Sequence, residues 1–181
     1  MNKLLIVIDM QNDFVTGALG SKAAREIVGA VDKKLHTACD SGDQVLFTRD
    51  THDENYLKSQ EGQYLPVVHC VKGTPGWEII DALKPYIKTI SDVMDKPAFG
   101  SLELARQVAG GNYDEIELCG LCSDICVVSN ALILKAQLPE TKVTVDARCC
   151  AGVTEESHKA ALLTMKMCQV NVIGEGAGNH V

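Results

Sequence analysis

The sequence predicts an α/β fold, namely a three-layer α/β/α sandwich around a mostly parallel sheet of about six strands. Short apolar runs alternate with helix-like segments along the chain. Most of these runs are continuous rather than alternating, which is typical of parallel strands covered on both faces. The length of 181 residues suffices for one domain with a sizeable core and is too short for two ordinary ones. We therefore expect residues 1–181 to form a single domain.

Six strands and four helices are predicted along the chain. The predicted strands are Lys3–Ile8, Gln44–Thr48, Thr89–Val93, Glu115–Leu118, Lys142–Asp146 and Gln169–Val172. The predicted helices are Ser21–Cys39, Leu102–Val108, Asp124–Gln137 and Thr154–Met167. The first helix carries its apolar residues on one stripe, and the last begins with a threonine cap followed by two glutamates. This β–α alternation predicts an open, Rossmann-like sheet with helices on both faces.

The stretch Thr51–Trp77 fits neither the strand nor the helix period and is interrupted by glycine and proline. Loops of this length are uncommon in small domains and are usually functional. In open α/β sheets, ligands bind beyond the carboxyl ends of the strands. The polar residues that follow the strands are therefore the candidates for a site, and we expect the tail Gly174–Val181 to be frayed.

The composition excludes several classes of protein. Hydrophobic residues make up 46% of the chain and charged residues 23%, with a net charge of −7, which argues against a nucleic-acid surface. The apolar run Leu4–Ile8 is too short for a signal sequence or a membrane helix. We therefore expect a cytoplasmic enzyme with a small-molecule substrate, and eight reduced cysteines rather than a disulfide scaffold.

One of these cysteines, Cys126, is the candidate nucleophile. Ser123 and Asp124 are good helix caps, so Cys126 falls in the first turn of the following helix. The helix dipole and the free N–H groups there favour a thiolate and suit a developing oxyanion. Lys96, after the third strand, would lower the pKa of the thiol further. Asp9, after the first strand, is placed to take the thiol proton and return it to a leaving amine.

Two other interpretations of these thiols remain open. Cys126 taken alone fits a buried structural residue. Cys119 and Cys122 have the CxxC spacing of a redox pair or a zinc site, although Cys119 closes a strand and no second CxxC lies at zinc-finger spacing. The adjacent pair Cys149–Cys150, together with Cys39 and Cys168, is interpreted as structural.

A metal site is predicted in the long loop. Asp50 and His52 lie two residues apart, so an extended segment points both side chains the same way. His69 follows in the same loop, with Glu54 and Glu61 between them, and such a set suits Zn²⁺, Mn²⁺ or Fe²⁺. A solvated acidic loop is the alternative. The remaining histidines receive no role, since two fall on predicted helix exteriors and one in the tail, namely His36, His158 and His180.

Five motifs in order, spread over nearly the whole chain, resemble those of the isochorismatase-like cysteine hydrolases and, within them, the nicotinamidases. They are LLIVIDMQNDF, TRDTH, LPVVHCVKGTPGW, DKPAFGS and GLCSDICV. Each contains one of the candidates above. The resemblance implies the α/β fold and, because family members are often homo-oligomers, self-association.

The resemblance also implies roles for individual residues. Asp9, Lys96 and Cys126 match the catalytic three. Many members use a second histidine soon after the DxH segment. This chain has no histidine at that position, so the resemblance points to a glutamate there. The implied metal ligands are Asp50, His52, His69 and Glu61, with Glu54 as second choice. The resemblance further implies a cis peptide at Leu121–Cys122 and an oxyanion hole of the Cys122 and Cys126 amides. It also implies a ring pocket of Phe14 and Phe99, with Trp77 near its mouth.

The implied activity is hydrolysis of nicotinamide to nicotinate and ammonia through a thioester on Cys126, a reaction of NAD salvage. Our hypothesis is that a divalent metal, with zinc expected and manganese or iron as options, holds the pyridine nitrogen. The alternative within enzymes is a related cysteine amidase acting on another small amide or an N-carbamoyl compound, whose members often lack the metal site. A non-catalytic binding protein of the same fold is the alternative from another class.

Overall fold

Six parallel strands form one sheet in the order β3-β2-β1-β4-β5-β6 in the computed structural model, which describes residues 2–175. The strands are β1 (Lys3–Ile8), β2 (Gln44–Asp50), β3 (Val93–Lys96), β4 (Glu115–Leu121), β5 (Lys142–Ala151) and β6 (Asn171–Ile173). The two central strands are almost entirely buried, as their continuous apolar sequences predict. The predicted parallel α/β sandwich is confirmed.

Six helices and a few short turns connect the strands. The helices are α1 (Asn12–Val15), α2 (Lys22–Asp40), α3 (Gln60–Tyr64), α4 (Leu102–Ala109), α5 (Val128–Gln137) and α6 (Glu155–Met167). A π-helical turn, Ser123–Val127, precedes α5, and 3₁₀ turns span Tyr56–Lys58, Lys84–Tyr86 and Ile90–Asp92. Helix α2 packs against β2, β4 and β5, whereas α4, α5 and α6 contact one another. Right-handed crossovers put these two groups on opposite faces of the sheet.

The direction of the chain across the sheet reverses at β1. From β1 the chain moves outward through β2 to β3, and it returns to the other side of β1 as β4. Such a switch point opens a crevice at the carboxyl ends of the two central strands. Gly120 is needed there because a Cβ atom at this position would lie 2.1 Å from the Ile8 carbonyl oxygen. The main chains of β1 and β4 therefore approach closely at the point where the site begins.

The third and sixth strands were predicted too early in the sequence. The observed third strand begins at Val93, because Thr89 and Asp92 form a capping box that winds Ile90–Asp92 into a 3₁₀ turn. Lys96 therefore closes a strand instead of following one. The last strand begins only at Asn171, because Gln169 turns the chain after α6 with a φ of +65°.

Two other predictions need correction. The predicted helix Asp124–Gln137 is a π-helical turn followed by α5, and its cap is Cys122, with no capping side chain. The loop Thr51–Trp77 contains one 3₁₀ turn and α3. Of the tail predicted to be frayed, residues 176–181 lie outside the described residues. Among the residues that the structure describes, no helix is long and apolar enough to cross a membrane.

A charged contact ties α2 to the sheet and carries our first prediction. Lys34 on α2 forms ion pairs with Glu117 of β4 and Asp146 of β5, and Asp146 is almost fully buried. We expect Lys34→Met to lower the free energy of unfolding by about 1–3 kcal/mol, because two shielded carboxylates lose a cation. Urea unfolding measures this change.

The control is Lys22→Met on the same helix, where both members of the Lys22–Glu26 pair are largely exposed. It should change the free energy of unfolding by less than about 0.5 kcal/mol. Equal losses for the two variants would contradict the assignment.

Candidate active site

The three predicted catalytic side chains meet at the switch point. Asp9 follows β1 in a left-handed conformation, with a φ of +49°, and its carboxylate accepts a hydrogen bond of 2.6 Å from the Thr48 hydroxyl. Lys96 Nζ lies 2.6 Å from Asp9 Oδ2, an oxygen with no other partner among the described residues, and 3.4 Å from Cys126 Sγ. Asp9 and Lys96 are completely buried, and Cys126 is almost so. The Lys96 cation thus contacts both an acid–base group and a thiol.

Burial governs the protonation of this cluster. It raises the pKa of Cys126 well above the ordinary thiol value; the Asp9 carboxylate adds to this effect and the Lys96 charge opposes it. Burial also raises the pKa of Asp9, again against Lys96. For Lys96, burial favours the neutral amine, but Asp9 and Cys126 outweigh it and raise the pKa. Burial and the Asp9 carboxylate therefore favour the neutral thiol of Cys126 and oppose the expected thiolate.

The predicted metal ligands form one group. Ligand atoms of Asp50, His52, Glu61 and His69 all lie within 4.8 Å of one another. His52 Nε2 lies 3.0 Å from Asp50 Oδ2, and Glu61 Oε1 lies 3.6 Å from His52 Nε2 and 3.7 Å from His69 Nε2. His69 Nδ1 donates to the Val67 carbonyl oxygen at 2.8 Å, so its Nε2 is free to ligate. Two imidazoles and two carboxylates at this spacing fit a divalent transition metal.

Helix α3, inside the long loop, selects Glu61 over Glu54. Ser59 caps this helix by accepting from the Gly62 amide, and a Cβ atom at Gly62 would lie 2.2 Å from the Tyr56 carbonyl oxygen. The helix therefore packs on Tyr56, whose ring contacts the rings of both His52 and His69. Glu61 in its first turn points at the histidines, whereas Glu54 is exposed and outside the group.

Gln11 joins the metal segment to the catalytic strand. Its side chain donates to the carbonyl oxygens of Asp50 and Trp77 and accepts from the Asp50 amide. Trp77 is buried beneath the Arg49 guanidinium, 3.5 Å from its ring centroid, and donates to the Thr51 hydroxyl. Trp77 therefore supports the metal segment from behind. It does not itself line the cavity.

A cavity of about 860 Å³ opens over the nucleophile and the metal group. Phe14 and Phe99 both line it; Phe14 packs 5.5 Å from the His69 ring, between centroids, and Phe99 is partly exposed. Cys122 and Cys126 lie on its floor, and the peptide bond Leu121–Cys122 is cis. The cavity thus brings together the residues predicted for the ring pocket and the oxyanion hole.

Hydrogen bonds attach the nucleophile turn, Ser123–Val127, to α6. The side chains that form them have other roles than those predicted from the sequence. Ser123 Oγ lies 2.7 Å from His158 Nδ1, and Ser123 is fully buried. Asp124 accepts from the Val153 amide at 2.9 Å and from the Ser157 hydroxyl. His158, predicted on a helix exterior with no role, is therefore half-buried against the turn. Ser123 and Asp124 therefore attach the turn to α6 and do not cap the helix.

Asn130 fixes the other side of the nucleophile. Its amide donates to the carbonyl oxygens of Cys126 and Phe99, and its oxygen accepts from the Ser101 amide. These hydrogen bonds hold the segment after Lys96 against α5, the helix that directly follows the nucleophile turn. Sequence reasoning missed this residue; an asparagine inside an apolar helix four residues after the thiol was the available signal.

Residues 3–175 match the family model of the isochorismatase domain. The chain belongs to the isochorismatase family. It is 31% identical over 173 residues to the uncharacterized isochorismatase family protein PncA of Bacillus subtilis strain 168, covering 90% of this chain and 93% of that protein. The crystal structure of pyrazinamidase/nicotinamidase from Streptococcus mutans UA159 shares 28% identity at a TM-score of 0.84, covering 95% and 100% of the two chains.

A pyrazinamidase of Pyrococcus horikoshii, solved in complex with zinc, is also similar to this isochorismatase-family protein. It shares 26% identity at a TM-score of 0.80, covering 97% of this chain and all of that one. The family is thus one of hydrolases, and amide hydrolysis is the chemistry of the similar structures. The CxxC alternative is not supported in this isochorismatase domain. Cys119 and Cys122 are both free thiols, and neither belongs to a group of possible metal ligands among the described residues.

The metal group yields a prediction that separates the two glutamates. We expect Glu61→Gln to weaken zinc binding at least about tenfold, because one of four ligands loses its charge. Competition against a chromogenic chelator measures the affinity.

Glu54→Gln is the matched control in the same loop, and it should keep zinc affinity within about twofold of the parent protein. Unchanged affinity in Glu61→Gln, or an equal loss in Glu54→Gln, would show that the ligand set is wrong.

Proposed function

We propose that this isochorismatase-family protein hydrolyses nicotinamide to nicotinate and ammonia through a thioester on Cys126. The observation that carries the proposal is the contact of Lys96 with both Asp9 and Cys126, where Cys126 and a metal-type group line one cavity. Amidases of this kind need a nucleophile, a proton carrier and an anchor for the substrate ring. Similarity to structures described as nicotinamidases and pyrazinamidases supports the choice of amide.

The first half of the reaction forms the acyl-enzyme. Cys126 Sγ attacks the carboxamide carbon as its proton passes to the Asp9 carboxylate, a base strengthened by burial. The carbonyl oxygen becomes an oxyanion that accepts hydrogen bonds from the backbone amides of Cys122 and Cys126, and each such donor contributes about 10²–10³ in rate. Asp9 then protonates the amide nitrogen, the C–N bond breaks and ammonia leaves.

The second half regenerates the thiol. A water molecule gives a proton to Asp9 and attacks the thioester carbon, and the same amides stabilise the second oxyanion. The C–S bond breaks, nicotinate leaves, and the proton returns from Asp9 to the Cys126 sulfur. Lys96 keeps its positive charge throughout, because the neighbouring charges of Asp9, Cys126 and Asp50 outweigh its burial and raise its pKa. It offsets the negative charge that moves between Asp9 and the thiolate.

The substrate ring lies between Phe14 and Phe99 in this proposal. Asp50, His52, Glu61 and His69 would hold the metal, for which zinc is our choice and manganese or iron the alternatives. When bound, the metal supplies a Lewis acid that accepts the lone pair of the pyridine nitrogen. A ring held in this way would place the carboxamide at the Cys126 sulfur, and such positioning contributes strongly to catalysis.

Ammonia release tests the proposal. We expect the zinc-loaded protein to release ammonia from nicotinamide and Cys126→Ala to lose at least about 10³-fold in kcat/KM, because no thioester forms. Intact-mass spectrometry of the parent protein during turnover should show the acyl adduct on the Cys126 peptide.

Cys39→Ala, at a half-buried thiol outside the cavity, is the control and should retain full activity. Full deamidation by Cys126→Ala would exclude the nucleophile. Turnover of N-carbamoyl compounds with none of nicotinamide would favour the related amidase instead.

The contact between Ser123 and His158 makes His158 a positioning residue for the oxyanion turn. We expect His158→Ala to lower kcat about tenfold with KM and zinc content unchanged, because the substrate and metal contacts stay in place while the turn loosens. His158→Asn should restore much of kcat, since its amide can still pair with the Ser123 hydroxyl.

His36→Ala, at an exposed histidine on α2, is the control for this measurement. An increase in KM with kcat unchanged would assign His158 to substrate binding, and no effect would remove the proposed role.

A further inference from the structure

The active-site cavity is much larger than a one-ring amide requires. Its volume of about 860 Å³ falls in the range of sites that enclose drug-sized ligands. The catalytic thiol and the metal group form only part of its lining. Beyond them the wall is formed by Tyr64, Leu65, Phe99 and Val153, which we call the outer wall.

All four outer-wall residues are apolar or aromatic and exposed to solvent. Tyr64 is 84% exposed, Val153 64% and Phe99 44%. Among the described residues that line the cavity, only the four members of the metal group carry ionisable acid or imidazole side chains, and no lysine or arginine does. A ligand reaching the outer wall therefore meets an uncharged, apolar surface, continuous with the site of the reaction.

The opposite end of the site is closed. Asp9, which gives the proton to the departing nitrogen in the proposed reaction, is completely buried, and so is Lys96 beside it. Neither residue lines the cavity, whereas Cys126 does. The leaving amine therefore sits against a filled wall, while the acyl group faces the open space. This asymmetry admits ammonia as leaving group and leaves no room for a bulky amine.

We propose that the enzyme acts on primary amides whose acyl group carries an uncharged apolar extension, which packs on the outer wall. This inference rests on the proposed amidase function and deepens it. The bonds made and broken are those of the thioester reaction above: ammonia leaves, the extended acyl group stays on Cys126, and water releases it as the acid. The extension contributes binding without contacting the reacting atoms.

Paired substrates test the inference with the zinc-loaded protein. The series is nicotinamide, nicotinamide bearing a butyl or phenyl group on its ring, and the N-methyl amide of each acid. We expect the better extended primary amide to exceed nicotinamide in kcat/KM by about tenfold or more, because the added apolar groups are removed from water. The N-methyl amides should react at least about tenfold more slowly than their primary counterparts.

Variants of the outer wall locate the effect. Tyr64→Ser and Val153→Ser replace exposed side chains, and each should reduce the ratio of kcat/KM for the extended amide over nicotinamide by about threefold or more. Leu163→Ser is the matched control: Leu163 is 59% exposed on α6 and outside the cavity, so this ratio and the activity should not change.

The outcomes separate this inference from the proposed function. Turnover of nicotinamide with no preference for extended amides, or a ratio unaffected by both outer-wall variants, overturns the inference and leaves the nicotinamidase proposal standing. Turnover of extended amides but not of nicotinamide overturns the nicotinamidase proposal and leaves the inference standing. Equal rates for N-methyl and primary amides overturn the closed-end argument, and no turnover of any amide overturns both.

Discussion

The site depends on one buried cation. The Lys96 ammonium lies 2.6 Å from Asp9, 3.4 Å from Asp50 and 3.4 Å from the Cys126 sulfur, and it also donates to the Ala98 carbonyl oxygen. Removing an ammonium from water costs several kcal/mol, and only well-placed partners offset that cost. The two carboxylates provide the offset. They belong to different parts of the site, Asp9 to the proton transfers and Asp50 to the metal group, so Lys96 couples the two electrostatically.

Sheet topology brings these partners together. Asp50 and Lys96 are register partners at the ends of β2 and β3, and Asp9 follows the neighbouring β1. The nucleophile comes from the other side of β1, after β4, because the order of the strands reverses there. No short sequence motif could hold four such groups in contact. The parallel sheet does so because its strands all end at one edge, where their polar residues share a crevice.

The sequence predicted the positions of those site residues that side-chain chemistry and the direction of the parallel strands determine. Residues at strand ends were predictable as one cluster, since carboxyl ends of parallel strands converge, and Glu61 and His69 could be placed by spacing and resemblance. The contribution of His158 was not predictable. It comes from a different helix, and its exposure depends on how α6 packs against the turn at Ser123. Gln11 and Asn130 act through backbone carbonyls, and only Asn130, as an asparagine inside an apolar helix, left a signal in the sequence.

Burial opposes the thiolate that the sequence predicts at Cys126. A helix start and a nearby lysine do favour a thiolate, but those effects were judged without the burial of Cys126 or the Asp9 carboxylate beside it. Both disfavour a second negative charge in a site that holds one mobile proton. Asp9, Cys126 and that proton therefore act as one unit: a negative charge rests on the carboxylate until attack moves it to the substrate oxygen. The backbone amides of the nucleophile turn then stabilise the negative charge on the substrate oxygen. The contacts that hold this turn in position therefore matter as much as the reactivity of the sulfur.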